Sequence, residues 1–332
     1  MQALNRRQLL QYGGAAAAVA SLPAWANDAF PAKPLSLVVP YPAGGASDVS
    51  ARIFAESIGK SVKQQVVVEN YGGGTGLIGA GKVLSAPADG YTFFHGGAAD
   101  VFLTPMLNTA ARYKPQDFAL VAPISEANIM LLVRNGIPAQ TLDEFLAYAK
   151  QHQGKPLTYG TVGIDSMYHL MGDSLAARLG LPFLHVPYKG AAPALQDLAG
   201  GQVDFAILPY QASFEGMQQQ GRLKILSSFA KVLPAPLKHI ALISQSKLVP
   251  DFEYTIAGGY FVKVGTPPER MAVLRKAIGE ALANPEIRTK LEQEGRNVAS
   301  PIATQQQADD SFNTQYKRAA DLIRSVGRQP RA

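Results

Sequence analysis

The 332-residue sequence contains no cysteine, and this absence excludes several classes of protein. The chain forms no disulfide, holds no thiolate metal site or iron–sulfur cluster, and has no cysteine nucleophile. Histidine is also scarce, and the five histidines share no spacing typical of a metal site: His95, His152, His169, His185 and His239. We therefore predict no bound metal and no cofactor, and a core large enough to fold without disulfides.

Two motifs of nucleotide and ester hydrolysis are missing as well. The P-loop pattern GxxxxGK[ST] fails because Phe54 takes the place of the first glycine before Gly59-Lys60-Ser61. No GxSxG sequence is present, and the serines nearest to the glycine turns, Ser47 and Ser166, are more simply donors or helix caps. These absences exclude a phosphate-binding loop and make a hydrolase an unfavoured alternative.

Charge is low and dispersed along the sequence. Charged residues make up 17% of the chain and hydrophobic residues 47%, which is typical of a soluble globular protein with room for two α/β domains. The formal net charge is +6, and loss of a leader that contains Arg6 and Arg7 lowers it by two. Such a mild and scattered excess does not indicate a nucleic-acid partner.

The segment Met1–Ala26 has the pattern of an export signal. The apolar run Ala15–Leu22 follows a basic start and precedes the small-residue site Ala24-Trp25-Ala26. The sequence NRRQLL at Asn5–Leu10 also resembles the twin-arginine signal. The apolar run is too short to cross a bilayer, which takes about 20 residues. We expect cleavage after Ala26 and a mature protein that lies in the periplasm and does not span the membrane.

A strand, a glycine turn and a helix follow one another early in the mature chain. The apolar run Leu35–Val39 ends at prolines, Gly44-Gly45 follows, and four apolar residues then recur at helical spacing: Val49, Ile53, Phe54 and Ile58. The N–H groups of such a first helical turn are unpaired, and the helix dipole favours an anion there. The stretch therefore predicts an anion cradle, the alternative being a tight connection that binds nothing.

The same alternation continues along the chain. Further strands are predicted at Gln65–Glu69, Tyr91–Phe94, Ile129–Val133, Leu157–Tyr159, Phe183–Val186, Val203–Leu208, Lys224–Ser227 and Tyr254–Val262. Glycine-rich segments follow several of these strands, and helical patterns follow the glycines. This order predicts an α/β fold with a mainly parallel sheet, whose ligands lie beyond the carboxyl ends of the strands.

We predict two domains joined by two crossings of the chain. The loop Arg134–Pro138 ends the first segment, and Tyr254–Val262 reads as the return. Domain 1 is expected to comprise residues 30–132 plus 254–332, and domain 2 residues 133–253. The last seventy residues are expected to form helices that pack on domain 1, the first opened by Pro267-Pro268 and the last, more polar one at Gln305–Val326.

A GxGxxG match at Gly74–Gly79 keeps a different class of function open. It follows a predicted strand and opens a helix, which is the context of a dinucleotide-binding site. However, the next strand ends in His95-Gly96-Gly97 and lacks the acidic residue that would hold a ribose. The match is better interpreted as a helix that approaches its sheet closely, and an exported oxidoreductase remains the alternative.

Three polar side chains lie near the predicted turns, and two of them have two possible roles each. Asp48 favours the helix by its position in the first turn but would repel an anion, so we expect it to brace the turn. Lys189 is a cation in a loop near the predicted crevice, or simply a solvated lysine. His169 stands one helical turn after Ser166 and so near the second glycine turn.

Five separated motifs together resemble one protein family, the Bug-type periplasmic solute-binding proteins of tripartite tricarboxylate transporters. The motifs are PYPAGGASDVSAR (Pro40–Arg52), VVVENYGGGTGLIGAGKVLSAPADGYTFF (Val66–Phe94), YGTVGIDSMYHLMG (Tyr159–Gly172), HVPYKGAAPALQDLAGGQVDFAI (His185–Ile207) and VGTPPERMAVLRKAI (Val264–Ile278). They occur in the family's order and span nearly the whole mature chain.

The resemblance implies a clamshell binding protein of the type II periplasmic class that performs no chemistry. A small carboxylate would lie between the domains, held by backbone N–H groups and waters at two facing turns, and a monomer would hand it to a transporter or a sensor. The residues expected to bind it are Tyr41, Ala43, Gly44, Gly45, Ala46, Ser47, Asp48, Gly97, Gly163, Ile164, Asp165, Ser166, His169, Tyr188, Lys189, Gly190 and Asp204.

The sequence departs from the family pattern at several places. Asn70-Tyr71 replaces a usual Arg-Pro, Asp100 lies in a normally Ser/Thr-rich strand end, and Asp165 stands where glycine is common. Leu233–Ser246 lacks the usual Pro-Thr-x-x-Glu pattern, and Gly259-Tyr260 replaces a tryptophan-containing stretch. The departures leave the ligand open, and an extra acidic side chain would suit a ligand that carries an amine.

Overall fold

One long strand, Phe118–Arg134, runs through the centre of the sheet and is shared by its two halves. The computed structural model describes residues 30–152 and 154–330. The chain from Lys33 onward forms one compact unit. The predicted export signal, residues 1–26, lies outside the described residues, so its cleavage and export stay predictions.

Ten strands form one sheet in the described part of the chain. They are β1 (Leu35–Val39), β2 (Val66–Asn70), β3 (Thr92–Gly97), β4 (Phe118–Arg134), β5 (Leu157–Thr161), β6 (Phe183–Pro187), β7 (Phe205–Pro209), β8 (Leu223–Ser228), β9 (Thr255–Lys263) and β10 (Arg296–Val298). The order across the sheet is β2-β1-β3-β9-β4-β7-β5-β6, and β8 and β10 each pair with β4.

Parallel strands lie toward the two ends of this sheet and antiparallel strands lie between them. β1 pairs in parallel with β2 and β3, and β5 pairs in parallel with β6 and β7. The first part of β4, Phe118–Asn128, pairs antiparallel with β9, and its last part, Ile129–Arg134, pairs antiparallel with β7 and β8. We call the strands around β1 the first half-sheet and those around β5 the second half-sheet.

Ten α-helices cover the sheet in the described residues. They are α1 (Ala46–Val62), α2 (Leu77–Ser85), α3 (Thr104–Leu107), α4 (Leu142–Gln151), α5 (Met167–Leu179), α6 (Ala191–Ala199), α7 (Ser213–Gln219), α8 (Pro268–Ala283), α9 (Pro285–Gln293) and α10 (Gln305–Ser325). A π-helical stretch, Ala98–Leu103, joins β3 to α3. The mixture of α and β elements confirms the predicted fold class.

Helix α1 shows how the sequence positions the first glycine turn. Its buried stripe consists of residues three and four apart, which lie on one face of a helix: Ala51, Phe54, Ala55 and Ile58. Burial of a side chain as large as Phe54 or Ile58 stabilises the fold by about 1.5–3 kcal/mol. The prediction that Val49 shares this face is wrong, because it is 41% exposed and lies about 140° around the helix from Phe54.

Most predicted strands are confirmed, with one large omission. β1 has the predicted bounds Leu35–Val39, and the helix opened by Pro267-Pro268 is α8. The first part of β4 was not predicted, because Pro123, Ser125 and Glu126 interrupt its apolar pattern. The pairing of β4 with β9 shifts register near Pro123, so the irregular sequence corresponds to an irregular strand.

The C-terminal helices return to the first half-sheet. Ser61 of α1 donates a hydrogen bond to Glu280 of α8. Arg275 of α8 donates from Nε to the carbonyl oxygen of Val121 in β4 at 2.9 Å. None of the helices formed by the described residues combines the length and the apolar character that crossing a bilayer requires.

Candidate functional site

The first turn, Tyr41–Asp48, connects β1 to α1. Gly44 has a φ of +81°, a left-handed conformation that favours glycine. Gly45 is the extended N-cap residue of α1, and no side chain of the described residues caps the helix there. The N–H groups of the first helical turn, at Ala46, Ser47 and Asp48, therefore lack intrahelical acceptors and face the space beyond β1.

Asp48 braces this turn from within. The residue is 3% exposed, and Oδ2 accepts hydrogen bonds from the Gly44 N–H at 2.8 Å and from Arg52 Nε at 3.0 Å. Burial by itself would raise the pKa of the Asp48 carboxyl, but these hydrogen bonds and one from Asn70 hold that pKa below its ordinary value. The carboxylate is thus ionised at neutral pH and engaged by the turn.

Asn70 is a positioning residue that the sequence marked only as a departure from the family pattern. Its Nδ2 donates to Asp48 Oδ1 at 3.0 Å and to the carbonyl oxygen of Tyr41 at 3.0 Å. A single amide at the end of β2 therefore ties together both ends of the first turn.

The end of β3 is tied to the first turn by a buried acid. Asp100 is 1% exposed, its Oδ2 accepts from the Gly97 N–H at 3.0 Å, and its Oδ1 accepts from the Tyr41 hydroxyl at 3.2 Å. Burial raises the pKa of Asp100 to about 7. The expectation that this extra acid selects a ligand amine is not supported, because its oxygens already join Tyr41 and Gly97.

The second turn, Gly163–Ser166, connects β5 to α5. Gly163 has a φ of +146° and Asp165 a φ of +57°. Ser166 is the N-cap of α5: its Oγ accepts from the His169 N–H at 3.3 Å and donates to the carbonyl oxygen of Gly163 at 2.8 Å. Ser166 is therefore a helix cap, which is one of the two roles that the sequence indicated for it.

Two backbone N–H groups of the second turn already donate hydrogen bonds to neighbouring side chains. The Asp165 N–H donates to His169 Nδ1 at 3.1 Å, and the Gly163 N–H donates to Thr161 Oγ1 at 3.3 Å. The sequence-based expectation counted these groups among the ligand donors. The other two backbone N–H groups of the turn belong to Ile164 and Ser166. Ile164 is 63% exposed.

Two stacked histidines support the second turn. The rings of His169 and His185 lie with centroids 3.8 Å apart and an interplanar angle of 15°. Burial lowers the pKa of His185 to about 4 and moves the pKa of His169 below its ordinary value. Both rings are neutral at pH 7, so His169 orients the backbone of Asp165 and adds no positive charge to the site.

The segment Tyr188–Gly190 lies beside the second turn. The Tyr188 N–H donates to the carbonyl oxygen of Thr161 at 3.0 Å, and a Cβ on Gly163 would be 3.7 Å from the Tyr188 carbonyl oxygen. Gly190 is the N-cap of α6, with a φ of +115°. Lys189 is exposed, which fits its interpretation as a solvated lysine.

The structure does not bring Asp204 to the other predicted residues. Its N–H donates to the Thr158 carbonyl oxygen at 3.1 Å, and its carboxylate forms an ion pair with Arg134 at 3.0 Å. β5 and β7 are parallel, so Thr158 and Asp204 lie at their amino ends, whereas the second turn follows the carboxyl end of β5. Asp165 is similarly engaged, because its carboxylate pairs with Arg328.

The surroundings of Tyr168 show that the two turns lie close together. Tyr168 lies in the first turn of α5, and α5 contacts the π-helical stretch Ala98–Leu103 that follows β3. The pKa of Tyr41 is raised well above its ordinary value by burial and then by the charge of Asp100, with Tyr168 as a further cause. The first turn, the end of β3 and the start of α5 are therefore neighbours.

The arrangement offers hydrogen-bond donors but no catalytic group. Within residues 30–152 and 154–330, no cluster of three histidine, aspartate or glutamate side chains is suited to hold a metal ion. The glycines of the GxGxxG match serve close packing, because a Cβ on Gly76 would lie 2.3 Å from Asp100 Cβ and one on Gly79 would lie 3.0 Å from Pro40. The packing interpretation of that motif is thereby favoured over a dinucleotide site.

The fold is that of a two-domain periplasmic binding protein. The chain is 29% identical to the periplasmic binding protein BugD, with a TM-score of 0.77 over 90% of this chain and 99% of that one. It is 28% identical to the R. palustris protein Rpa4515, solved with adipate, with a TM-score of 0.79 over 91% of this chain and 100% of that one.

The sequence comparison identifies the family. Residues 50–328 match the tripartite tricarboxylate transporter family receptor, and the chain belongs to that family. It is 31% identical to the UPF0065 protein in the tcbD-tcbE intergenic region of Pseudomonas sp. (strain P51), over 96% of this chain and 94% of that protein. The matching family is one of transporter receptors and BugD is a periplasmic binding protein, which confirms the resemblance and removes the oxidoreductase alternative.

Proposed function

We propose that this protein binds a small organic carboxylate in the periplasm and delivers it to a tripartite tricarboxylate-type transporter or presents it to a sensor protein. The observation that carries the proposal is the first turn of α1, whose N–H groups have no side-chain cap among the described residues. A carboxylate satisfies such donors and is favoured by the helix dipole. The adipate bound by Rpa4515 supports this ligand class.

The proposed contacts come from both turns. The first turn contributes the N–H groups of Ala43 and Ala46–Asp48, and Tyr41 and Gly97 shape its edge. The second turn contributes the N–H groups of Ile164 and Ser166, and the exposed Ile164 side chain covers the aliphatic part of the ligand. Hydrogen bonds to a charged acceptor are worth roughly 1.5–3 kcal/mol each, so either turn alone would bind weakly.

We further propose that the two turns belong to separate lobes, residues 30–132 plus 254–332 and residues 133–253. The chain passes between the half-sheets along β4 and returns before β9, which is consistent with two crossings. If both turns bind one carboxylate, the ligand prefers the closed form and shifts the population toward it. Small-angle scattering with and without saturating ligand tests this, and an unchanged radius of gyration despite binding contradicts it.

The binding proposal is tested by Gly45→Val with Gly81→Val as the matched control. Gly45 has φ −77° and ψ 166°, which valine adopts readily, but its Cβ would stand at the N-terminus of α1, 3.3 Å from the Pro42 carbonyl oxygen. Gly81 has no atom within 4 Å of an added Cβ. We expect Gly45→Val to weaken adipate binding at least tenfold by calorimetry with little change in Tm.

The Gly81→Val variant should bind adipate like the wild-type protein. Equal affinities for all three proteins would contradict the assignment of the carboxylate to the first turn. Absence of binding to every carboxylate tested, by the wild-type protein folded and freed of bound ligand, would overturn the proposed function itself.

A further inference from the structure

The C-terminal helix α10 reaches from the first part of β4 to the helix that follows the second turn. At its start, Gln305 Nε2 donates to the carbonyl oxygen of Leu120 in β4 at 3.2 Å. At its end, Ser325 Oγ donates to Ser174 Oγ of α5 at 2.9 Å. The helix thus brings the residues that follow it to α5, which begins at the second turn.

A glycine cap fixes the backbone that follows α10. Gly327 has a φ of +72°, a left-handed conformation that favours glycine. Its N–H donates to the carbonyl oxygen of Arg324 at 2.9 Å, and the Arg328 N–H donates to that of Ile323 at 3.2 Å. These two hydrogen bonds form a Schellman motif, in which a left-handed residue ends a helix and turns the chain. The backbone position of Arg328 is therefore set by the end of α10.

The Arg328 side chain forms an ion pair with Asp165 in the second turn. Arg328 Nη1 donates to Asp165 Oδ1, and the two side chains are 45% and 38% exposed. Asp165 has a φ of +57°, which costs free energy for a residue other than glycine. Such a residue persists when its surroundings hold it in place. The Asp165 N–H is held by His169 Nδ1, and the Asp165 carboxylate is held by Arg328.

The negative charge of Asp165 would by itself oppose the binding of an anion at the second turn. Its carboxylate belongs to the turn whose two other N–H groups are the proposed ligand donors. His169 Nδ1 lies 3.9 Å from Asp165 Oδ1, and His169 Nε2 lies 3.2 Å from an oxygen of Asp173. However, the His169 ring is neutral at pH 7, because burial lowers its pKa. Arg328 therefore supplies the positive charge that compensates Asp165.

We propose that Arg328 is a positioning residue of the carboxylate site. It neutralises Asp165 and holds the second turn so that the N–H groups of Ile164 and Ser166 can bind an anion. This inference rests on the proposed function, in which both turns contact the ligand. The sequence pointed to Lys189 as a cation near this turn, whereas the ion pair points to Arg328. A residue at the end of α10 thereby completes a turn that connects β5 to α5.

The test measures the affinity for adipate by calorimetry at low ionic strength. We expect Arg328→Gln to weaken binding about three- to tenfold, because the charge of Asp165 is then uncompensated. About 1 M salt should reduce this loss to less than twofold, because salt screens charges that are partly exposed. Arg328→Lys keeps the charge and should bind within about twofold of the wild-type protein. The control Arg324→Gln removes an exposed charge that pairs with Asp321 in α10, and it should have no effect.

Removal of Asp165 separates compensation of its charge from direct contact between Arg328 and the ligand. Asp165→Gly deletes the acid and suits the left-handed conformation at this position. The double variant Asp165→Gly/Arg328→Gln has neither charge, so it should bind adipate within about twofold of the wild-type protein. If the double variant binds as weakly as Arg328→Gln, Arg328 does not act through Asp165, and the positioning role is overturned.

A measurement without ligand distinguishes this inference from the proposed function. Burial lowers the pKa of His169, and the charge of Arg328 lowers it further. In an NMR titration, the pKa of His169 should therefore rise in Arg328→Gln and stay constant in Arg324→Gln. An unchanged pKa in Arg328→Gln, or an adipate affinity equal to that of the wild-type protein, overturns the positioning role while carboxylate binding stands. Failure of the wild-type protein to bind any carboxylate overturns both.

Discussion

At the first turn a buried carboxylate, Asp48, holds the backbone, whereas at the second turn an imidazole and a hydroxyl, those of His169 and Ser166, do so. Both turns connect a parallel strand to a helix, and both contain a glycine with positive φ. The pKa of Asp48 lies below its ordinary value, so the first turn keeps its charge at neutral and mildly acidic pH. The second turn depends on neutral histidines.

One strand-to-helix turn is therefore held by a charged side chain and the other by neutral side chains. A carboxylate beside the N-terminus of α1 is compatible with an anionic ligand only because Gly44, Arg52 and Asn70 engage its oxygens. The second turn also contains an acid, Asp165, but its carboxylate is paired with Arg328. We expect the two turns to respond differently to substitution and to pH.

The largest effect is expected for Asp48→Ala. The substitution removes three hydrogen bonds to a buried charge, leaves the Gly44 N–H without its acceptor and leaves Asn70 Nδ2 with the Tyr41 carbonyl oxygen alone, so the free energy of unfolding should fall by about 3 kcal/mol. Urea denaturation measures this change. Glu56→Ala removes an exposed carboxylate from the same helix and should have no measurable effect. Equal stability of the two variants would show that Asp48 does not brace the turn.

A pH-dependent effect is expected at the second turn. The pKa of His185 is about 4 in the folded protein and 6.5 for an ordinary histidine, so the unfolded chain binds more protons between these values. The free energy of unfolding should therefore fall as the pH falls from 6.5 to 4. In His185→Gln the dependence of Tm on pH should be weaker over this window, while the exposed His239→Gln should parallel the wild-type protein.

The buried acid at the end of β3 should act in the opposite direction. The pKa of Asp100 is about 7 in the folded protein and 3.8 ordinarily, so its contribution to stability is lost as the pH rises toward and through 7. Asp100→Asn mimics the protonated side chain, and its Tm relative to the wild-type protein should be higher at pH 8 than at pH 5. Exposed Asp310→Asn is the control. A difference in Tm between Asp100→Asn and the wild-type protein that does not change with pH would contradict the raised pKa of Asp100.

The smallest effect is expected for Lys189→Gln. Its side chain is exposed beside the second turn, and exposed charges contribute little because water and salt screen them. We expect the affinity for adipate to change less than about threefold. A loss of tenfold or more, sensitive to salt, would show that Lys189 is a ligand contact and that the second turn also uses a charge.

Much of the first half-sheet was predictable from local sequence. The run Leu35–Val39, the glycines at 44 and 45 and the apolar stripe through Phe54 specify strand, turn and helix by periodicity and backbone preference alone. The first part of β4 was not predictable in this way. Its polar and proline residues are accommodated because β9 and β10 pair with it from distant parts of the chain.

The sequence by itself determined the alternation of strands and helices, the two glycine turns and the family motifs, because these depend on neighbouring residues. Only the tertiary structure decided that Asp204 lies at the amino end of β7, away from the second turn, and that Asp100 bonds to Tyr41. It alone placed His95, Tyr260 and Arg296 together. His95 and Tyr260 are 165 positions apart in the sequence, and Tyr260 and Arg296 are 36 positions apart. No local sequence pattern predicts which distant residues become neighbours when the sheet packs.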